Sequence, residues 1–330
     1  MPILNRIQII DFLRGISIFT IVLMHFCQGY ASGVLSKALA FGGAGVHVFI
    51  LCSGLGLYLS YLRKPIGYKD FLRKRFAKVY VPYAIAVLLW GLWFLVSEGT
   101  FPVWEVASHL LLYKMFSVEL DTSLCGPYWF ISTIIQFYLA WPLIVRLVRC
   151  GGGYFIALAI SLAWSTLVGV LGYEEQRPWG SFFLQYLWEF CLGMWIAGRV
   201  VNGHWSKVID ASGLKWWWLL AGAVGGMGLT GFMAWNGGML KLYNDIPSLM
   251  GYLSTMLLIY KVGVNVVNRF FVWASGFSYE LYLMHFLVFC IIVYFLKNAC
   301  SFIMLIFTSL VSAYMTAYMC SLGLRFLKIK

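Results

Sequence analysis

Arg14 and His25 are the first residues of this chain whose types and spacing suggest chemistry. They lie eleven residues apart in a mostly apolar segment, IDFLRGISIFTIVLMHF. On an α-helix, eleven residues bring a side chain back to within about 20° of the same face, roughly 16 Å further along the axis. Ionisable side chains inside membrane spans usually face a bundle interior or a cavity. We therefore predict an inward-facing stripe with a cation near one end and an imidazole near the other.

The spacing of Arg14 and His25 alone leaves two simpler interpretations open. Arg14 can extend its side chain to cytoplasmic headgroups, because arginine buries its aliphatic stem while keeping its charge in water. His25 can be a hydrogen-bonding residue between two helices, without any chemical role.

A basic segment, YKDFLRKRFAKVYVPY, precedes a later apolar run. Arg75 and Lys78 are three residues apart and share a face once a helix has begun. Guanidinium and ammonium groups at this place suit phosphate groups. Anchoring of a cytoplasmic loop is the alternative, and on this segment alone it is the better explanation.

Polar side chains also interrupt three further apolar runs. Gln136 lies in the middle of GPYWFISTIIQFYLAWPLI, where Trp129 fits an interfacial aromatic belt. Glu189 lies within YLWEFCLGMWIAG, and a carboxylate inside a span needs a partner, such as an Arg or His of another helix. FSYELYLMHFLV contains Glu280 and His285, which share only a broad helix face.

The composition is that of an integral membrane protein. Of 330 residues, 62% are hydrophobic and 11% charged, against about 25% charged in soluble domains, and the mean hydropathy is +0.84. The net charge of +12 does not indicate a nucleic-acid partner, because the positive charges follow the membrane topology. None of the eight cysteines forms a Cys-x-x-Cys pair, so we expect buried thiols and no metal or redox site.

The hydropathy pattern predicts about ten transmembrane helices in an all-α fold. Their approximate bounds are 9–28, 40–62, 79–97, 126–147, 153–172, 181–199, 215–235, 246–263, 277–296 and 302–324. The glycine-rich seventh and eighth are the weakest of the set. Residues 101–118 are too polar to span and are expected at the interface.

The distribution of Lys and Arg predicts the orientation of these helices. Most of the 24 Lys and Arg residues fall in alternate loops, and such loops are cytoplasmic by the positive-inside rule. Both termini are then cytoplasmic, and the outside loops contain five of these residues, Lys37, Lys114, Arg177, Lys241 and Lys297. No cleavable signal peptide and no soluble domain are expected, so residues 1–330 form a single membrane-embedded domain.

The ordered set of motifs resembles the acyltransferase 3 family of integral-membrane acyltransferases. IDFLRGISIFTIVLMH resembles its first-helix signature, an Arg and a His separated by ten residues. The later blocks follow in the family's order, and they are VHVFILCSGLGLYLS, RKRFAKVYVPY, YWFISTIIQFYLAWPL, WEFCLGMW and FSYELYLMHF. Lys78 stands where the family has a second Arg and so lacks the bidentate fork.

The resemblance implies an O-acyltransferase, in particular an acetyltransferase. It would move acetyl from cytoplasmic acetyl-CoA to a hydroxyl of a cell-envelope saccharide, of O-antigen or capsule type, at a bacterial cytoplasmic (inner) membrane, with no metal. Arg14, Arg75 and Lys78 would hold the CoA phosphates, and His25 would be the general base. The resemblance implies supporting roles for other residues. Glu189 would orient a histidine or bind the sugar, and Trp129 and Tyr138 would contact the acceptor. Ser53 and Gln136 would polarise the carbonyl, and His285 would be either a second acid/base at the substrate or structural.

Two other functional classes remain alternatives. A transporter or flippase of an envelope saccharide or small solute would also have an inward Arg, His and Glu set, but it would move its substrate without CoA. An envelope sensor or assembly protein would bind partners through these residues and catalyse no reaction.

Overall fold

The computed structural model describes residues 8–28, 30, 39, 41–203 and 213–327. These residues form helices and turns, and none of them lies in a strand. The predicted all-α membrane architecture is therefore confirmed for this part of the chain. Five charges used in the topology prediction lie outside the described residues, namely Arg6, Lys37, Lys207, Lys328 and Lys330.

The α-helices of the described residues follow one another along the chain with short connections. They are α1 (Gln8–Cys27), α2 (Gly45–Arg63), α3 (Tyr68–Arg75), α4 (Val81–Glu98), α5 (Val103–Leu110), α6 (Trp129–Leu139), α7 (Trp141–Arg149), α8 (Gly153–Val170), α9 (Arg177–Gly180), α10 (Leu187–Val201), α11 (Trp216–Asn236), α12 (Met239–Leu242), α13 (Asp245–Val262), α14 (Asn265–Ala274), α15 (Ser278–Leu296) and α16 (Phe302–Phe326). A π-helical turn, Phe76–Tyr80, joins α3 to α4.

Seven helical segments of the described chain are long and apolar enough to cross a membrane. They are Gln8–Cys27, Phe41–Arg63, Tyr68–Glu98, Gly153–Val170, Trp216–Asn236, Asn265–Leu296 and Phe302–Phe326. The pair α6 and α7 would make an eighth span, broken by a bend of 64°. Pro142 lies in the first turn of α7, where its missing N–H prevents continuation of the α6 ladder.

The two remaining predicted spans correspond to α10 and α13. Helix α10 has only 15 residues, and α13, with 18 residues, is not among the helices apolar enough to span. Helix α5 has 8 residues, which is too short to cross a bilayer, as expected for residues 101–118. The protein is thus a multi-pass membrane protein, and the exact count of ten crossings stays a prediction.

Helix α1 lies at the centre of the described bundle. It packs against α2, α13, α14, α15 and α16, and Phe12, Val22 and Phe26 on it are fully buried. Outer helices instead expose large apolar side chains, including Phe155, Val224 and Ile303. Because lipid is as apolar as these side chains, such surfaces suit an apolar environment such as a bilayer. The face of α1 that carries Arg14 and His25 is therefore shielded from lipid by the surrounding helices.

Helices α2 and α10 approach each other with their backbones in contact. A Cβ on Gly54 would lie 2.1 Å from the carbonyl oxygen of Phe190, and a Cβ on Gly193 would lie 2.1 Å from that of Leu51. Small residues at such a crossing allow two membrane helices to pack closely. This contact brings side chains of the two helices into direct hydrogen-bonding range.

Replacing Gly54 by Ala is expected to destabilise the protein by about 1–3 kcal/mol, because the added methyl forces the two backbones apart. The matched control is Gly56→Ala on the same helix, where an added Cβ would meet nothing within 4 Å. Thermal unfolding of both variants in detergent measures the difference. Equal unfolding midpoints for the two variants would show that the close crossing is absent.

Candidate active site

The imidazole of His25, near the end of α1, lies against that of His285 on α15. Nδ1 of His25 is 2.9 Å from Nε2 of His285, and the stacked rings have their centroids 5.1 Å apart. Nδ1 of His285 is 2.8 Å from the carbonyl oxygen of Tyr282 and 3.1 Å from that of Leu281. Because carbonyl oxygens only accept hydrogen bonds, Nδ1 of His285 carries a proton.

These contacts determine the tautomers of the two neutral rings. With its proton on Nδ1, a neutral His285 has a bare Nε2, which accepts from Nδ1–H of His25. A neutral His25 then has its lone pair on Nε2. His285 is fully buried, whereas His25 lines a cavity. The pair therefore holds His25 in the form that can accept a proton from a bound group.

The cavity beside His25 has a volume of about 630 Å³. Its lining residues are Ile21, Met24, His25, Cys27, Gln28, Leu39, Gly43, Val46, Pro127, Trp129, Phe130, Arg177, Lys241 and Tyr282. Arg177 and Lys241 belong to loops that are predicted to lie on the outer side of the membrane. The predicted topology places His25 in the outer half of the membrane, towards the same side. The lining includes two cations and no Asp or Glu among the described residues.

A narrow apolar gap continues from this cavity along α1. The gap holds about 20 Å³ and is lined by Ile18, Ile21, Val46, Phe49, Phe130, Tyr279 and Tyr282, of which Ile21, Val46, Phe130 and Tyr282 also line the cavity. At its far end the guanidinium carbon of Arg14 lies 6.0 Å from the ring centre of Phe49. Arg14, Ile18, Ile21 and His25 thus form one stripe along α1, as the spacing predicts.

Arg14 and Arg75 both lie in the neighbourhood of Tyr138, at the end of the stripe that is predicted to be cytoplasmic. The Tyr138 hydroxyl is within electrostatic range of both guanidinium groups. Nε of each arginine is buried and has no hydrogen-bond partner among the described residues. Unsatisfied buried donors of this kind favour an anionic ligand. Lys78 is exposed in the π-helical turn.

Glu189 is fully buried and lies against His47 rather than His25. Its Oε1 is 2.7 Å from Nδ1 of His47 on α2, as the close α2–α10 crossing requires. Nε2 of His47 lies 3.8 Å from Asp245, whose other oxygen accepts a hydrogen bond of 2.7 Å from Gln185. The partner expected for Glu189 is therefore the histidine of α2, in a buried network behind the cavity.

The remaining predicted site residues occupy different places. Trp129 lines the cavity, and its ring stacks on that of Tyr186 with centroids 5.9 Å apart. Gln136 accepts a hydrogen bond of 3.0 Å from the backbone N–H of Phe183. Ser53 donates one of 2.8 Å to the carbonyl of Phe49. Neither Gln136 nor Ser53 lines the cavity, and their roles at a carbonyl stay predictions.

The loop after α5 adds a buried cation near the cavity. Lys114 is fully buried, and its Nζ has no hydrogen-bond partner among the described residues. Burial lowers the pKa of Lys114 to about 8, against an opposing effect of Cys125 and Asp121. Burial also lowers the pKa of His109 to about 3, with a further contribution from Lys114. His109 is thus neutral, and this segment presents positive charge through Lys114 alone.

Sequence reasoning did not single out His47, Asp245 or Arg177. His47 lies inside a motif chosen for its apolar and Ser-Gly pattern, and it is 142 positions from Glu189. Arg177 counted only as a loop charge. One signal for His47 was available in the sequence. It is an ionisable residue within a predicted span, and a Glu buried in another span needs such a partner.

The histidine pair beside the cavity and the arginines at the other end of the same helix are compatible with a membrane enzyme that transfers a group. Comparison with known proteins supports that class. The family model described as "Acyltransferase domain" matches residues 7–321. The chain therefore belongs to the acyltransferase 3 family, as its motifs predict.

A curated relative supports this assignment over part of the chain. Acyltransferase MdmB of Streptomyces mycarofaciens is 32% identical over 162 residues, which cover 45% of this chain and 41% of the relative. The match thus spans less than half of that protein. No solved structure matches the chain.

Proposed function

We propose that this acyltransferase moves an acetyl group from cytoplasmic acetyl-CoA to a hydroxyl of a cell-envelope saccharide, of O-antigen or capsule type, at a bacterial cytoplasmic membrane. The observation that carries the proposal is the α1 stripe. It begins at two arginines whose buried Nε atoms have no hydrogen-bond partner among the described residues, and it ends at a histidine whose tautomer suits proton abstraction. A donor with phosphates at one end and a thioester at the other matches this arrangement.

The arginine cluster fits the phosphates of acetyl-CoA. Arg14 and Arg75 each have an unpaired Nε, and a guanidinium presents several donors in a geometry that suits phosphate oxygens. With the phosphates there, the pantetheine arm would extend along Ile18 and Ile21 towards His25. Because the gap holds only about 20 Å³, Phe49 and Tyr279 would have to move aside.

The acceptor would occupy the cavity on the His25 side. Nε2 of His25 takes the proton of the acceptor hydroxyl as its oxygen attacks the thioester carbonyl. The carbon–sulfur bond breaks, the acetyl ester forms, and the proton passes from the imidazolium to the departing CoA thiolate. His285 keeps the His25 proton on Nδ1 throughout, and the Trp129 side chain forms part of the wall that the sugar would contact.

The direct test of the proposal is transfer by the purified protein in detergent. The protein would receive acetyl-CoA labelled in the acetyl group and a polysaccharide extract of bacterial envelopes. The expected result is label in the extract, with one free CoA thiol released per acetyl transferred. Absence of both label and thiol release from a folded protein would overturn the proposal and favour a transporter.

Replacing Arg14 by Ala is expected to raise the KM for acetyl-CoA about tenfold or more, because a charge-assisted contact to phosphate is lost. Kinetics with acetyl-pantetheine, which has no phosphate, provide the contrast, since wild type and Arg14→Ala should then have similar KM values. The control is Arg63→Ala, which removes an exposed cation at the end of α2. An equal loss with both donors would contradict a phosphate role for Arg14.

A further inference from the structure

We infer that Arg177 forms an anion-binding subsite in the cavity beside His25, and that the acceptor therefore carries a carboxylate or phosphate group. The inference rests on the proposed function and adds to it the charge of the acceptor. It concerns the cavity end of the α1 stripe, and not the end where Arg14 and Arg75 lie.

Arg177 is held over the cavity by an aromatic stack. Its guanidinium carbon lies 5.3 Å from the ring centre of Trp129. Trp129 rests on Tyr186, and Tyr186 in turn lies against His47, with ring centroids 5.9 Å apart. The buried network of His47 and Glu189 thus supports the ring on which Arg177 lies. A guanidinium stacked on an aromatic face keeps its N–H edge free for a planar or tetrahedral anion.

The guanidinium of Arg177 has no carboxylate within salt-bridge distance in the described part of the chain. The other cation of the lining, Lys241, differs, because its Nζ lies 2.7 Å from Glu175. Lys114 is close enough to Arg177 for the two charges to repel each other. An anionic acceptor would supply a counter-charge to the Arg177 guanidinium.

Arg177 and His25 line the same cavity. A substrate held by Arg177 therefore lies in the space into which His25 opens. An acceptor tied to Arg177 by an anionic group, with its reacting hydroxyl at His25, would be fixed at two points. Its remaining hydroxyls would then face His25 in a limited number of orientations.

The test uses one polysaccharide extract in three chemical forms. The untreated form keeps its acidic groups, carboxyl reduction converts uronic acids to neutral sugars, and hydrofluoric acid removes phosphate esters. Each form would be assayed with labelled acetyl-CoA and with wild type, Arg177→Gln and Arg177→Lys. The control variant is Lys297→Ala, which removes an exposed cation of another outside loop.

The expected result is a KM for the untreated polysaccharide that is about tenfold or more higher in Arg177→Gln, with kcat changed little. Arg177→Lys should recover part of the loss, and Lys297→Ala should match wild type. The treatment that abolishes the difference between wild type and Arg177→Gln identifies the anion as carboxylate or phosphate.

Three results would overturn the inference, and they differ from one another. Efficient transfer to all three forms with no effect of Arg177→Gln on KM would remove the anion subsite and leave the acetyltransferase intact. No transfer by wild type to any form would remove the proposed function and the subsite with it. A uniform fall in kcat with unchanged KM would show that Arg177 only supports the cavity wall.

Discussion

Replacement of His25 by Asn is expected to reduce the rate of acetyl transfer about 10²- to 10⁴-fold, the usual contribution of a positioned general base. The Asn side chain has an N–H that can still donate to Nε2 of His285, but it has no basic nitrogen. Packing at the end of α1 should therefore be preserved while proton abstraction is lost. The measurement is kcat of the purified variant with acetyl-CoA and the envelope polysaccharide.

His285 provides the matched control for this prediction. In His285→Gln, the amide oxygen can still accept the Nδ1 proton of His25, so the basic Nε2 is kept and much more activity should remain than in His25→Asn. The KM for acetyl-CoA should be similar in both variants, because neither residue lies at the arginine cluster. Near-normal kcat in His25→Asn would exclude His25 as the base.

Replacement of Glu189 by Ala is expected to destabilise the protein by about 3–5 kcal/mol. The carboxyl group is fully buried and bonded to His47 at 2.7 Å. Its removal leaves the imidazole without its main partner and creates a cavity between α2 and α10. Loss of one member of a buried pair is costly because the other stays desolvated. The measurement is the thermal unfolding midpoint in detergent.

A double variant separates the lost interaction from the lost volume. Glu189→Leu combined with His47→Leu removes both polar groups and fills the space, so it should be clearly more stable than Glu189→Leu alone. Additive effects of the two substitutions would show that the pair does not interact. A midpoint of Glu189→Ala close to that of wild type would contradict the burial of this carboxyl.

Local periodicity made part of this site predictable. Arg14 and His25 are on one helix, so their shared face follows from the helical repeat alone. The need of Glu189 for a partner also follows from the cost of a buried carboxylate. The resemblance of ordered motifs gave the family, which the match over residues 7–321 confirms.

Long-range contacts were not predictable from one sequence. His25 and His285 are 260 positions apart, and only packing of α15 on α1 brings them together. The hydrogen bond between Glu189 and His47 depends on the close contact of α2 and α10 at their glycines, which no local pattern reveals. A binding role for Arg177 follows only from its contact with Trp129 and its place in the cavity lining, because an arginine in a loop is ordinarily just solvated.

The most direct test of the account is transfer of label across a sealed bilayer. The purified protein would be reconstituted into liposomes that enclose the envelope polysaccharide, and labelled acetyl-CoA would be added outside. With wild type, we expect label to reach the enclosed polysaccharide and free CoA thiol to appear outside, and we expect both to be lost with His25→Asn. Transport of intact acetyl-CoA or polysaccharide without thiol release, or label that appears only when donor and acceptor share one side, would contradict it.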